Sequence, residues 1–350
     1  MQQKINILFT IPNFKTAGSQ YVMLSIIRGL DQSKFNIFVA VQDFPELIPI
    51  DLPKERQVIL DFSRRTFQNA RHLSGVLKNN DIDILHSWDY KSDLAEVIAC
   101  RLSGVKYLYT KKNNSWSKRW KLKSLLANYI AYDNPSMKDK FFSTYMLKSK
   151  TTFIPHGVDI NKFSSINLEK SKNFNICSIG NIVANKNQEQ IIEALKDLSE
   201  DVHLQLYGKE DKTYRIHLEK LITANDVNDR VHFHGFINNK VIPQVLSKQD
   251  VFVLASHQEG LPVSILEALA CGLPVLSSDS GGGARYILGE NQGGYIFSST
   301  KEMVDHIKCL QNDKVLYKDL SKSAAKNVST RFSLESEINA YKKLYLELYT

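Results

Sequence analysis

Two glutamates, Glu259 and Glu267, bracket the most chemically suggestive stretch of this sequence, DVFVLASHQEGLPVSILEALACGLPVLSSDSGGG at 250–283. The apolar run 251–255 has the length and composition of a buried strand. A Glu-Gly-Leu-Pro turn follows at 259–262. A helix is predicted over 262–271, with Pro262 in its first turn and Gly272 past its end. The first turn of a helix leaves backbone N–H groups without partners, and the helix dipole adds partial positive charge there. The N–H groups of Gly260, Leu261, Val263 and Ser264 would then form an anion site suited to a diphosphate. A carboxylate beside phosphate is costly unless it accepts hydrogen bonds from hydroxyls, and sugar hydroxyls are natural donors to Glu259 and Glu267. The alternative is a pair of solvated helix charges. The apolar residues around them, such as Leu261, Ile265, Leu266 and Leu269, argue against it.

Elements able to position such a site recur along the chain. Strand-length apolar runs at 5–10, 36–41, 57–61, 82–86, 105–110 and 151–154 alternate with helical segments at 20–30, 65–78, 92–102 and 116–129. The alternation pauses at Ile154-Pro155-His156-Gly157-Val158-Asp159 and a polar stretch. A second series runs through 175–180, 202–208, 230–235, 250–255, 274–278 and 295–297, and helices follow from 301. The expected architecture is α/β, with two Rossmann-like domains facing across a cleft. The domains are expected at 1–155 and 173–332, joined by a linker at 156–172. A C-terminal helix at 333–350 is expected to pack back on the first domain.

With 350 residues, 43% hydrophobic and 23% charged, the chain excludes a disordered tail, a collagen-like fibre and a disulfide miniprotein. Lys and Arg number 45 against 37 Asp and Glu, a net +8 that favours acidic partners without choosing among phosphates, nucleic acid and anionic membrane. No nucleic-acid reading motif appears, so nucleic acid is not an expected partner. Cys100, Cys177, Cys271 and Cys309 form no CxxC pair, which argues against zinc or a disulfide framework. No signal peptide or membrane span is legible, so a cytoplasmic protein is expected.

Glu259-x7-Glu267 with its intervening Gly-Leu-Pro resembles the E-x7-E motif of the family-four retaining glycosyltransferases, which have the GT-B fold. Further likenesses follow in order along the chain. Ala17-Gly18 resembles the family's N-terminal glycine loop, and residues 154–159 its inter-domain segment. Ile179-Gly180-Asn181 with Lys186-Asn187 resembles its phosphate segment, and 231–236 the strand near the nucleotide base. The resemblance implies a nucleotide-diphospho-sugar donor and a hexosyl transfer to a glycan or lipid-linked acceptor in cell-surface polysaccharide synthesis. In that reading Glu259 binds the donor sugar's hydroxyls and Glu267 the ribose hydroxyls. Lys186 neutralises the diphosphate leaving group, Leu261, Val263 and Ser264 complete its cradle, and Gly18 lets the N-terminal loop approach. Two positions depart from the pattern: Asn181 stands where the family usually has Arg, and Thr110-Lys111-Lys112-Asn113 where many members carry His.

On the acceptor side His86 and Lys112 are candidates, each with a packed or solvated alternative. His156 reads as structural. Gly281-Gly282-Gly283 lacks dinucleotide spacing and reads as a tight strand-to-helix turn. Asp81-Ile82-Asp83 precedes a strand rather than following one, so no metal role and no cofactor are expected. Residues 1–30 contain no Asp, Glu or His to serve as an inverting base, which favours retention, although Asp89 and His86 remain possible bases. Residues 97–132 carry eight Lys or Arg and no acid, with Trp116 and Trp120 among them. An anionic membrane surface and a solvated basic rim explain that stretch equally well. The competing functions are a GT-B-like nucleotide-sugar epimerase and a non-catalytic scaffold.

Overall fold

The computed structural model describes residues 4–11, 19–42, 52–60, 66–88, 93–164 and 171–350. It divides into two compact units: residues 1–156 with 334–350, and residues 157–333. The chain from Gly157 onward therefore belongs to unit 2. Its Val158 bridges to Ser333, and a short helix Ile160–Ser164 follows.

Among the described residues unit 1 has seven strands: β1 (Ile5–Thr10), β2 (Phe35–Val41), β3 (Gln57–Ile59), β4 (Ile84–Ser87), β5 (Lys106–Lys111), β6 (Tyr129–Tyr132) and β7 (Thr151–Phe153). Unit 2 has six: β8 (Phe174–Ile179), β9 (Val202–Tyr207), β10 (Val231–Phe233), β11 (Val251–Leu254), β12 (Val275–Ser278) and β13 (Gly294–Phe297). The sheet orders are β3-β2-β1-β4-β5-β6-β7 and β10-β9-β8-β11-β12-β13. Every pairing is parallel. Parallel sheets covered on both faces need strands that are apolar throughout, and β11, Val-Phe-Val-Leu, is buried along its whole length. Strand order reverses between β1 and β4 and between β8 and β11. Loops leaving the carboxyl ends of such neighbouring strands diverge and open a crevice.

The helix expected at 116–129 is shorter, Lys118–Leu126, and Tyr129–Tyr132 forms β6. Ala127 turns extended, and the Asn128 side chain accepts from the backbone N–H of Tyr107 at 2.9 Å. The apolar periodicity ran on past the helix and concealed a four-residue strand. The C-terminal helix Leu334–Tyr349 lies in unit 1, where Ile338, Tyr341, Tyr345 and Leu348 are buried along one stripe. Asp81 adopts a left-handed conformation after the helix Thr66–Asn79, and Asp83 accepts from the backbone N–H of Asn6 at 2.8 Å. This Asp-x-Asp is a helix-to-strand turn.

Candidate active site

The two loops at the strand reversal of unit 2 carry opposite charges and are tied together. After β8 the chain makes a 3-10 turn, Ala184–Lys186, and enters the helix Gln188–Leu195. After β11 it runs through 255–262 into the helix Val263–Ala270, with Pro262 extended at the helix start. His257 N donates to the Asn185 carbonyl at 2.8 Å, and Asn185 Nδ2 donates to the Gln258 carbonyl at 3.0 Å. Lys186 Nζ donates to Glu259 Oε1 at 2.5 Å, and their side chains are 22% and 16% exposed. An ion pair left partly open can turn its ammonium to a phosphate and its carboxylate to hydroxyls. Two further loops press on this pair. Glu259 N donates to the Ser280 carbonyl at 2.7 Å. A Cβ at Gly208 would stand 1.8 Å from the Gly180 carbonyl oxygen, and one at Gly283 would stand 1.9 Å from that of Gly260. Only glycine lets these loops approach so closely.

Glu267 lies on the buried face of the Val263–Ala270 helix and is 8% exposed. Burial raises its pKa to about 7, against the pull of the Lys162 charge and a hydrogen bond from Asn239 Nδ2 at 3.4 Å. Leu261 is buried, while Gly260, Val263 and Ser264 are half-buried at the helix start. The Asn181 side chain is exposed, and its carbonyl accepts from Gln188 Nε2 at 3.1 Å. Gly281 and Gly282 are left-handed and lead into the helix Gly283–Leu288, a tight strand-to-helix turn. Sequence reasoning missed Lys162 and Asn239. Lys162 lies in a five-residue helix and Asn239 in a turn, both too short for a periodic signal, and only the fold brings them to Glu267.

The candidate acceptor-side residues of unit 1 are differently placed. His86 is fully buried, with Nδ1 at 2.7 Å from the Tyr345 hydroxyl and Nε2 at 2.8 Å from Thr110 Oγ1. Burial, with Lys112 nearby, holds its pKa well below the usual histidine value. His86 thus secures the C-terminal helix rather than presenting a nitrogen to solvent, contrary to the acceptor-facing expectation. Lys112 is half-buried, donates to the Trp88 carbonyl and sits 4.6 Å over the Trp88 ring. Lys111 is fully buried, donates to the Asn113 carbonyl at 2.6 Å and lies 4.1 Å over Trp120. Trp116 stacks on Phe141 at 4.8 Å, and Trp120 is buried in the core. The tryptophans expected at a membrane interface therefore face inward. His156 is clamped between Glu337 Oε1 at 3.0 Å and Asp133 Oδ2 at 3.2 Å. Gly18 and Asp89 lie outside the described residues. Among the described residues no three His, Cys, Asp or Glu gather so as to hold a metal ion.

Two doubly wound parallel units of this kind define the GT-B fold. The Anabaena HepE protein, solved with UDP-glucose, has the same fold: TM-score 0.84 over 98% of this chain and 100% of that one, at 18% identity. A family model described as glycosyltransferase family 4 matches residues 16–162, and one described as glycosyl transferases group 1 matches residues 159–327. The chain belongs to the family-four glycosyltransferases. It is 24% identical, over 95% of its length and 96% of the relative's, to the N,N'-diacetylbacillosaminyl-diphospho-undecaprenol alpha-1,3-N-acetylgalactosaminyltransferase of Campylobacter jejuni. It is 26% identical, over 78% of its length and 77% of the relative's, to the UDP-Gal:alpha-D-GlcNAc-diphosphoundecaprenol alpha-1,3-galactosyltransferase of Escherichia coli. The protein is a glycosyltransferase, and the epimerase and scaffold readings are not favoured.

Proposed function

We propose that this enzyme transfers a hexosyl residue, with retention and without a metal ion, from a nucleotide-diphospho-sugar to a lipid-diphosphate-linked acceptor. The observation that carries the reading is the Lys186–Glu259 pair at the β8–β11 reversal, with Glu267 on the following helix. Lys186 and the N–H groups of Leu261, Val263 and Ser264 take the diphosphate. Glu259 accepts from the sugar hydroxyls and Glu267 from the ribose. The sugar C1–O bond to the diphosphate breaks, and the acceptor oxygen bonds to C1 on the same face. The acceptor proton passes to the departing phosphate oxygen. The lysine ammonium and helix N–H groups stabilise the charge that develops there. Alpha linkages in the names of both relatives support retention for a donor whose sugar is alpha-linked to its diphosphate, and their undecaprenol-diphosphate acceptors support a lipid-linked one.

Such an acceptor belongs to a membrane, and the reaction would run at its cytoplasmic face. No described helix is long and apolar enough to cross a membrane. The helix Lys118–Leu126 packs beside the short helix Tyr145–Lys148. These two helices expose Lys118, Arg119, Lys121 and Lys148 together with Leu122, Tyr145 and Met146. Basic and apolar groups together suit an anionic bilayer surface. The test is product formation from UDP-, GDP- and ADP-sugars whose sugar is alpha-linked to the diphosphate, with an undecaprenyl-diphosphate-linked sugar as acceptor, with and without EDTA. An α-linked product formed in EDTA is expected. A β-linked product, or turnover that needs added Mg²⁺ or Mn²⁺, would overturn retention or metal independence respectively.

A further inference from the structure

Glu267 is the end of a chain of three side chains. Lys162 lies in the short helix Ile160–Ser164, which packs on the Val263–Ala270 helix. Its Nζ donates to the Asn239 carbonyl at 2.9 Å and to Asn239 Oδ1 at 2.5 Å. An ammonium has only hydrogens to offer, so the amide oxygen must face Lys162 and the amide NH₂ is left for Glu267. That NH₂ stands 3.4 Å from Glu267 Oε1. We infer that Lys162, acting through Asn239, is a positioning residue that presents Glu267 as an oriented, ionised acceptor for the ribose hydroxyls of the donor. The inference rests on the reading of Glu267 as the ribose ligand.

An ionised carboxylate can accept from two neighbouring hydroxyls, whereas a protonated one carries a competing donor. The ionisation of Glu267 is finely balanced, since burial pushes its pKa to about 7 while Lys162 and Asn239 act in the opposite direction. The Cys271 thiol at the end of the same helix is raised by burial and by Glu267 to about 12, so it adds no charge near neutral pH. The helices Gly283–Leu288 and Lys314–Arg331 and strands β11 and β12 also pack on this helix. They bring apolar groups such as Ile287, Val328, Leu254 and Val275. Removing the Lys162 charge should therefore raise the Glu267 pKa, and the binding of a ribose should strengthen as pH rises through neutrality.

The experiment titrates the full chain with UDP and with 2′-deoxy-UDP from about pH 6 to about pH 8.5, for the wild type and Lys162→Met. GDP or ADP and its deoxy form replace UDP if one of them is the nucleotide that binds. The ratio of the two affinities cancels the titration of the phosphates and reads the ribose contact. In the wild type the ratio should rise with pH through about 7. Lys162→Met should move that midpoint up by about one pH unit, weakening UDP about fivefold at neutral pH. Lys162→Arg, which keeps the charge, should restore most of it. If Lys162→Met weakens both nucleotides alike and leaves the midpoint in place, Lys162 is merely structural and the inference fails while the proposed function stands. A wild type that binds no nucleoside diphosphate would sink both.

Discussion

In unit 1 two groups of buried charged side chains are locked to one another, while the buried Lys111 is held by the Asn113 carbonyl and the Trp120 ring. His156 lies between Asp133 and Glu337, and Lys123 stands 4.0 Å from Glu96, all of them buried. Glu96 also accepts from Thr10 Oγ1 and from the Tyr107 hydroxyl, at 2.5 and 2.9 Å. In unit 2 the charges at the strand reversal stay partly open on loops, and burial raises the pKa of Glu267 to about 7. The two sheets begin with the same strand order, so the difference comes from what the strand ends carry. A buried pair held from both sides fixes helices. A charge left near balance can exchange its partner for a ligand.

The largest effect should follow from breaking the unit 1 clamp. His156→Ala leaves Asp133 and Glu337 buried without their cation, which should cost about 3–5 kcal/mol of unit 1 stability. Thermal unfolding and hydrogen exchange across Leu334–Tyr349 would register it, while nucleotide affinity stays unchanged. Loss of nucleotide binding with intact stability would instead put His156 in the donor site. The clamp should also give unit 1 a pH signature. Burial alone would lower the His156 pKa, but its bonds to Asp133 and Glu337 outweigh that and raise it from 6.5 to about 9. The stabilisation is then complete below about pH 6.5 and lost as pH rises through about 9. The melting temperature of wild type should fall over that window, and that of His156→Ala should not follow it.

In unit 2, Lys186→Ala should weaken donor binding by about 1.5–3 kcal/mol, roughly 10- to 150-fold, with little change in melting temperature. Glu259→Ala should reduce kcat more than nucleotide affinity, because its carboxylate is assigned to the sugar. Equal nucleotide affinity in wild type and Lys186→Ala would break the contrast between the units. Gly283→Ala sharpens it further. Its methyl group would meet the Gly260 carbonyl, so overpacking of about 1–3 kcal/mol should fall on the Glu259 loop and appear in kcat/KM as well as stability. The smallest effect on folding should come from the unit 1 surface. Leu122, Tyr145 and Met146 changed together to Ser should shift stability by no more than about 0.5 kcal/mol per site. Co-sedimentation with anionic liposomes should drop. Equal sedimentation of both proteins would remove the patch from membrane binding.

Much of the scaffold was legible because parallel strands buried on both faces write themselves as short apolar runs, and eleven of the thirteen strands fell on runs read as strands at nearly their observed bounds. β4 was placed two residues early, since Ile82 continues the apolar run while Asp83 is still in the turn. β6 was missed because its apolar residues continued the preceding helix period. Of the site, Glu259, Glu267 and the helix between them were readable from local spacing. Lys186 came from a segmental resemblance and meets Glu259 across 73 positions. Lys162 and Asn239 left no local signal.

By itself the sequence determined two parallel α/β series, the turn and helix at 259–271, and a chain too evenly polar for any legible membrane span. Each of these depends on residues within a few positions of one another, where periodicity and turn chemistry act directly. The tertiary structure alone decided that His86, Trp116 and Trp120 turn inward and that Lys186 closes on Glu259. It also decided that an amide held by Lys162 reaches Glu267. These outcomes depend on strand order and on burial, which join residues distant in sequence. A side chain's charge state and facing are set by the neighbours that the sheet brings to it, and no spacing along the chain encodes them.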